Sequence, residues 1–232
     1  TLFICIISAR NSMASTELKT IEKIIIHKTS IEKQAVGVSV VLINGNKTEY
    51  LSLGLANKKS KKKINANTLF EIGSVSKTFT ALALASMVKE GKIKLTDPVQ
   101  NHLPEQVTLP VENGKHITFL SLSNHSSGLP RLPTNMPFSN PLNPYADYTV
   151  EMMYEFLNDY KLPREVGEVH EYSNLAVGLL GHVLALIDNK SYQDMITDRV
   201  LNPLNMESTF VTIPASKTGL MSDGHNDQLN VT

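Results

Sequence analysis

The sequence predicts an α/β (α+β) protein, an antiparallel sheet flanked by helices together with a mostly helical domain, on three observations. A helical apolar pattern comes early in the chain, a hairpin pattern follows it, and from Ser74 onward the patterns are almost all helical. From Leu18 to Ile31, apolar side chains at Leu18, Ile21, Ile24, Ile25 and Ile31 keep near-helical spacing with lysines and glutamates between them, which predicts an amphipathic surface helix. Ala35 to Ile43 reads as a strand, Asn44-Gly45 as a tight turn and Thr48 to Ala56 as the returning strand. After Phe70 the pattern changes. Ser74 to Glu90 is apolar or small almost all round and ends at Gly91, a natural residue just past a helix end, so a buried central helix is expected. Asp97-Pro98 reads as an N-cap followed by a first-turn proline. Residues 121–147, rich in proline, serine and asparagine, read as a long irregular stretch. Helical patterns return at 150–158, 174–187 and 191–201, with Thr149 and Ser191 as caps.

The composition supports a globular core and narrows the partners. Hydrophobic residues make up 41% of 232, and 22 basic against 22 acidic side chains leave no net charge to favour nucleic acid or an acidic surface. A small-molecule substrate fits better, with no nucleic-acid partner. The run Lys58 to Lys63 reads as a solvated loop. One cysteine, Cys5, excludes an intrachain disulfide and a cysteine-built zinc site. No pair among the seven histidines has helical metal-binding spacing, so no metal or other cofactor is expected. Residues 2–7 are apolar and Ser12-Met13-Ala14 supplies small residues where a signal peptidase cuts, which reads as a clipped signal peptide and a periplasmic or secreted protein. A buried N-terminal strand is the alternative. No other segment approaches the roughly 20 apolar residues that span a bilayer, so no stable membrane span is expected.

A nucleophilic serine needs a neighbour that takes its proton, and Ser-x-x-Lys on a helix puts an amine on the same face one turn away. The pattern alone is weak, since chance produces roughly two matches in this composition and the chain has four, at Ser30, Ser60, Ser74 and Ser86. Ser60 sits in the lysine run, Ser30 at a frayed helix end, and Ser86 near a helix C-terminus, where carbonyl dipoles oppose a developing anion. Only Ser74 opens a helix. There its own N–H is free to bind an oxyanion and the helix dipole favours negative charge. Lys77 is expected to be buried in the first turn. A plain N-cap serine with a surface lysine would satisfy the same letters, and the pattern by itself does not choose between the two.

The segment Phe70-Glu71-Ile72-Gly73-Ser74-Val75-Ser76-Lys77-Thr78-Phe79-Thr80 resembles the nucleophile segment of class C β-lactamases and related D-alanyl-D-alanine peptidases almost letter for letter. The resemblance continues through Gly91 to Pro98, Ser126-Ser127-Gly128-Leu129-Pro130, Tyr172-Ser173-Asn174 and Leu204-Asn205-Met206, covering roughly residues 17–215. It implies a β-lactamase/transpeptidase-like fold and acyl-enzyme chemistry, with Ser74 the nucleophile, Lys77 and Tyr172 its proton shuttle, and Asn174 a ligand of the substrate amide that bridges to Lys77. A phenol of pKa about 10 becomes a useful base only when cations stabilise its phenolate, and Lys77 would be the first such neighbour.

The implied function is β-lactam hydrolysis, with a D-alanyl-D-alanine carboxypeptidase or related cell-wall peptidase, an esterase, and a non-catalytic penicillin-binding sensor as alternatives. Substrates are therefore a β-lactam or a D-Ala-D-Ala peptide. Two departures favour the peptidase and esterase cousins: Arg131-Leu132 stands in a loop where strong cephalosporinases carry a glutamine, and His125 precedes Ser126-Ser127-Gly128. Lys217-Thr218-Gly219 spells the family's third motif yet lies only 45 residues beyond Tyr172. Pro214 argues against a central strand there, so the triplet is expected to be a decoy and the chain a fragment. The domain reading is 1–14 a signal-peptide remnant, 15–66 the N-terminal part of the sheet domain, 67–210 a mostly helical domain carrying Ser74, Lys77 and Tyr172, and 211–232 a loop leading to a missing C-terminal part.

Overall fold

The structure, a computed structural model, describes residues 5–7, 14–140, 143–226 and 228–231. The chain forms two compact units, one of Thr1–Ile72 with Ile213–Thr232 and the other of Gly73–Thr212.

The first unit is built on a hairpin. Strands β2 (Gly37–Asn44) and β3 (Lys47–Asn57) pair antiparallel from Gly37 opposite Gly54 to Asn44 opposite Lys47. The turn is therefore Gly45-Asn46, one residue later than the sequence predicts: Asn44 completes the strand and is buried, and Gly45 takes the positive φ (+57°) that a two-residue turn demands. Val38, Val40 and Leu42 alternate onto the buried face. Helix α1 (Ala14–Ile26), extended by a wider π turn at His27–Ile31, lays Ile21 and Ile25 against Val38 and Val40. Strand β4 (Lys62–Lys63) meets β3 at Leu55 and Asn57.

One pairing departs from a purely antiparallel sheet. Strand β1 (Cys5–Ile7) runs parallel to β2, Cys5 opposite Val41. Ser12 and Met13, the small-residue site of the signal-peptide reading, lie outside the described residues.

Residues 213–226 are not the plain loop that the sequence suggests. Ala215–Leu220 is a 3-10 helix, and Leu69 bridges to Met221 with Leu69 N–H on the Leu220 carbonyl (2.9 Å) and Ser222 N–H on the Leu69 carbonyl (2.9 Å). Asp223 N–H reaches the Ala56 carbonyl at 2.8 Å, and its carboxylate takes the Asn57 amide at 2.8 Å. Lys217, Thr218 and Gly219 thus sit in a helical turn, not in a strand.

The second unit is helical. A 3-10 turn (Gly73–Val75) runs into α2 (Ser76–Lys89); α3 (Phe119–Ser123), α4 (Val150–Asp159), α5 (Asn174–Asp188) and α6 (Tyr192–Ile196) follow, the last prolonged by a π turn at Thr197–Leu201. The buried central helix is α5 and not α2. Leu175, Ala176, Val177, Leu179, Leu180, Val183 and Leu184 are all buried, whereas α2 buries Thr80, Ala83, Leu84 and Met87 and leaves Leu82 half exposed. Around α5 pack Phe119 and Leu122 of α3, Met153, Phe156 and Leu157 of α4, and Met195 and Ile196 of α6. Asp97 is no N-cap. Its carboxylate accepts the Lys94 N–H at 2.8 Å, and Pro98 stays extended ahead of a 3-10 turn at Val99–His102. Thr149 and Ser191 cap α4 and α6 as expected, through the N–H groups of Met152 and Asp194.

Three helix ends are tied by one cation. Arg199 grips Asp188 with two nitrogens (2.8 and 2.6 Å) and Glu90 with a third contact (2.8 Å), while Lys92 adds a second cation on Asp188 at 2.9 Å. The hydrogen bonds from Arg199 hold the Asp188 carboxyl far below its ordinary range, against the opposing cost of burial. A depressed folded-state pKa gives stability that is complete above the unfolded carboxyl's 3.8 and fades as pH falls below it. Asp188→Asn should therefore cost about 2 to 4 kcal/mol at neutral pH, since it leaves a nearly buried guanidinium underpaired, with the deficit narrowing below pH 3.8. Urea unfolding of both proteins across pH 2.5 to 7 checks this; a deficit independent of pH contradicts it.

Candidate active site

Ser74 lies in the 3-10 turn that feeds α2, exposed, with its Oγ at the junction of two donors. Lys77, one helical turn on, places Nζ 3.2 Å from Ser74 Oγ. The Tyr172 hydroxyl approaches the same oxygen at 2.7 Å, from 98 residues further along the chain. Lys77 is half-buried, not buried as the sequence reading expects, because the tyrosine ring covers one side of the amine only: Nζ stands 5.0 Å from its centroid.

Tyr172 is held by the helix that follows it. The first N–H groups of α5 lack intrahelical partners and must find acceptors. Ser173, rather than Asn174, is the N-cap: its Oγ accepts the Ala176 N–H at 2.9 Å and donates to the Pro130 carbonyl at 2.6 Å. The Arg131 carbonyl accepts from the N–H groups of Asn174 (3.0 Å) and Leu175 (3.3 Å). The Ser173 N–H goes to His125 Nδ1 at 3.1 Å. Loop 125–131 is thus clamped to the start of α5. Gly128 lets it turn, with φ of +77° and room for a Cβ only 3.0 Å from Leu162.

The electrostatics lower the cost of forming a phenolate. The Lys77 hydrogen bond, then that of Ser74, then the charges of Lys77 and Arg131 pull the Tyr172 hydroxyl below its ordinary range, with burial opposing them. The His125 ring lies 4.6 Å from the tyrosine ring, and its own burial first, then the neighbouring His170 and Lys77, pull its pKa below the ordinary imidazole value. A neutral imidazole agrees with Nδ1 accepting the Ser173 N–H.

Asn174 opens α5 beside this cluster and shares with Lys77 and Thr80 the lining of a cavity of about 520 Å³. It does not bridge to Lys77. Its Nδ2 donates to the Tyr145 hydroxyl at 3.0 Å, and its buried Oδ1 has no hydrogen-bond partner among the described residues. An unpaired buried acceptor costs about 1 to 3 kcal/mol. Among the described residues no group of three or more His, Cys, Asp or Glu side chains could hold a metal ion. No described helix is long and apolar enough to cross a membrane.

A family model described as Beta-lactamase matches residues 15–228. The chain belongs to the β-lactamase family. It is 32% identical over 212 residues to a beta-lactamase of Pseudomonas fluorescens, covering 91% of the chain and 56% of that relative. It is 30% identical over 178 residues to the D-alanyl-D-alanine-carboxypeptidase/endopeptidase AmpH of Escherichia coli K12, covering 77% of the chain and 46% of AmpH. Among solved structures, a beta-lactamase/D-alanine carboxypeptidase of Yersinia pestis superposes with a TM-score of 0.82 at 27% identity, over 91% of this chain and 60% of that one. A class C beta lactamase of Rhodobacter sphaeroides superposes with a TM-score of 0.75 at 25% identity, over 90% and 56%. The chain spans about half the length of the curated relatives it matches.

The site residues legible from the β-lactamase resemblance, Ser74, Lys77 and Tyr172, converge on one oxygen. Sequence reasoning named Ser173 as part of the resemblance and His125 and Arg131 as departures, but missed their parts at the site, which depend on a loop folding back onto a helix end. A Ser one residue before an apolar helical run was the available signal for the cap. Ser173→Ala removes the cap and the Pro130 contact together and should lower stability by about 1 to 3 kcal/mol. Guanidinium unfolding measures this; a change under about 0.5 kcal/mol would remove Ser173 from the clamp.

Proposed function

We propose that this chain carries the acyl-transfer centre of a serine hydrolase that opens β-lactams. The observation that carries the reading is the single oxygen, Ser74 Oγ, approached at once by the Tyr172 hydroxyl at 2.7 Å and Lys77 Nζ at 3.2 Å. A phenolate at that distance can take the serine proton as Oγ adds to the lactam carbonyl carbon. The proton passes through Tyr172 and Lys77 to the lactam nitrogen as the carbon–nitrogen bond breaks, leaving an ester on Ser74. Water then adds to the ester carbonyl under the same base and releases the serine. Asn174, with its unpaired acceptor, grips the acylamide of the substrate, and the helix start at Ser74 favours the anion that forms on the carbonyl oxygen.

A second reading, a D-alanyl-D-alanine carboxypeptidase, uses the same atoms on a peptide carbonyl. The likeness to AmpH and the loop His125-Ser126-Ser127-Gly128 with Arg131-Leu132 support it. The apolar run at 2–7 and Ser12-Met13-Ala14 support a periplasmic or secreted location, where both substrates are met.

The test is covalent. A fluorescent penicillin should add its mass to the chain and not to Ser74→Ala, which keeps the fold because alanine is tolerated in a first turn. Release of that label together with consumption of a chromogenic cephalosporin marks a hydrolase; a label that stays marks a sensor module. Labelling of Ser74→Ala, or loss of labelling in Ser30→Ala or Ser86→Ala, would assign the nucleophile elsewhere.

A further inference from the structure

The Arg131 guanidinium lies on the face of Tyr172, its Cζ 5.1 Å from the ring centroid. Arg131 is exposed, and among the described residues no ion pair engages it. The other two described arginines are committed to carboxylates, Arg164 to Glu171 and Arg199 to Asp188 and Glu90. The main chain that carries Arg131 is fixed. The Arg131 carbonyl is bonded to the N–H groups of Asn174 and Leu175, and the preceding Pro130 carbonyl to the Ser173 hydroxyl, so the residue is anchored within three positions of the tyrosine it covers.

We propose that Arg131 is a positioning residue for the base: its guanidinium holds the Tyr172 ring against Ser74 and stabilises the ring's phenolate as the second cation beside Lys77. A cation is attracted by the face of a neutral phenol, and more strongly once the ring carries a negative charge. The contact therefore favours the deprotonated form over the protonated one, and only such a difference promotes proton abstraction. A planar guanidinium suits this position better than an ammonium, because it stacks flat and is more weakly hydrated.

The other groups around Tyr172 leave this part open to Arg131. Lys77 reaches the ring from α2, at 5.0 Å from the centroid. His125 covers part of the ring, its pKa lowered chiefly by burial, with His170 beyond it. Glu171, the neighbouring acid, is turned to Arg164. The direction in which Arg131 moves the tyrosine's ionisation agrees with the geometry.

This inference deepens the proposed hydrolase reading, and its test separates the two. The full chain, labelled with carbon-13 at the tyrosine ζ position, gives a Tyr172 resonance identified by its loss in Tyr172→Phe. Its titration midpoint should rise by about half a unit or more in Arg131→Met, the effect of removing a partly solvated cation, with Arg131→Lys in between. Penicillin labelling of Ser74 at pH 7 should slow about threefold or more in Arg131→Met and recover as pH is raised. Arg131→Lys decides in the same way if Arg131→Met does not fold. An unmoved midpoint overturns the proposal, and so does a midpoint unmoved while more penicillin is needed for half-maximal labelling, which would assign the guanidinium to the substrate's carboxylate. If the midpoint moves but the wild-type chain is never labelled, the hydrolase reading falls and the coupling of Arg131 to Tyr172 stands.

Discussion

The need of one helix end for hydrogen-bond acceptors organises the helical unit. Helix α5 is buried almost all round, so its first N–H groups cannot all turn to water. Ser173, the Arg131 carbonyl and, for the Ser173 N–H, the His125 ring supply the acceptors. Satisfying them draws loop 125–131 onto the helix and fixes the residue just ahead of the cap, Tyr172, against Ser74. A stability requirement and the geometry of the proposed acyl-transfer centre are thereby met by the same bonds. Disturbing the clamp should be felt first at the distance between two oxygens now 2.7 Å apart.

Charge then decides what that distance can do. A neutral phenol beside a serine hydroxyl is a weak base, and two cations on different elements, Lys77 on α2 and Arg131 on the loop, both act on the ring. The site is partly open to solvent, so each cation acts in a screened medium and neither alone supplies a large shift. Their positions are complementary. Lys77 touches Ser74 and lies 5.0 Å from the ring centroid, and Arg131 bears on the ring face.

Much of this was legible in the residues, to an uneven depth. The hairpin could be read because strand alternation and Asn44-Gly45 are local signals, yet the turn falls one residue later, since only the pairing register decides whether Asn44 closes the strand. Helices α4 and α6 were legible to within a residue or two because Thr149 and Ser191 state their own starts. Burial was not. Ser74 to Glu90 and Asn174 to Asp188 are both apolar nearly all round, and nothing local says that the second is wrapped by α3, α4 and α6. For the same reason Asn174 was read as a partner of Lys77, although its amide turns to Tyr145, a residue from the irregular stretch. Arg131 looked like a departure from a β-lactamase pattern, and its meaning emerges only from the ring it covers.

The central claim is that a cation-stabilised Tyr172 is the base that activates Ser74, and the pH dependence of acylation tests it most directly. The rate of Ser74 labelling by a penicillin, followed by intact-protein mass spectrometry from pH 5 to 10, should rise through a single ionisation whose midpoint lies below that of an ordinary phenol. In Tyr172→Phe that limb should vanish and the rate fall by about 10² or more. A wild-type limb that survives unchanged in Tyr172→Phe would contradict the account and move the base to another group.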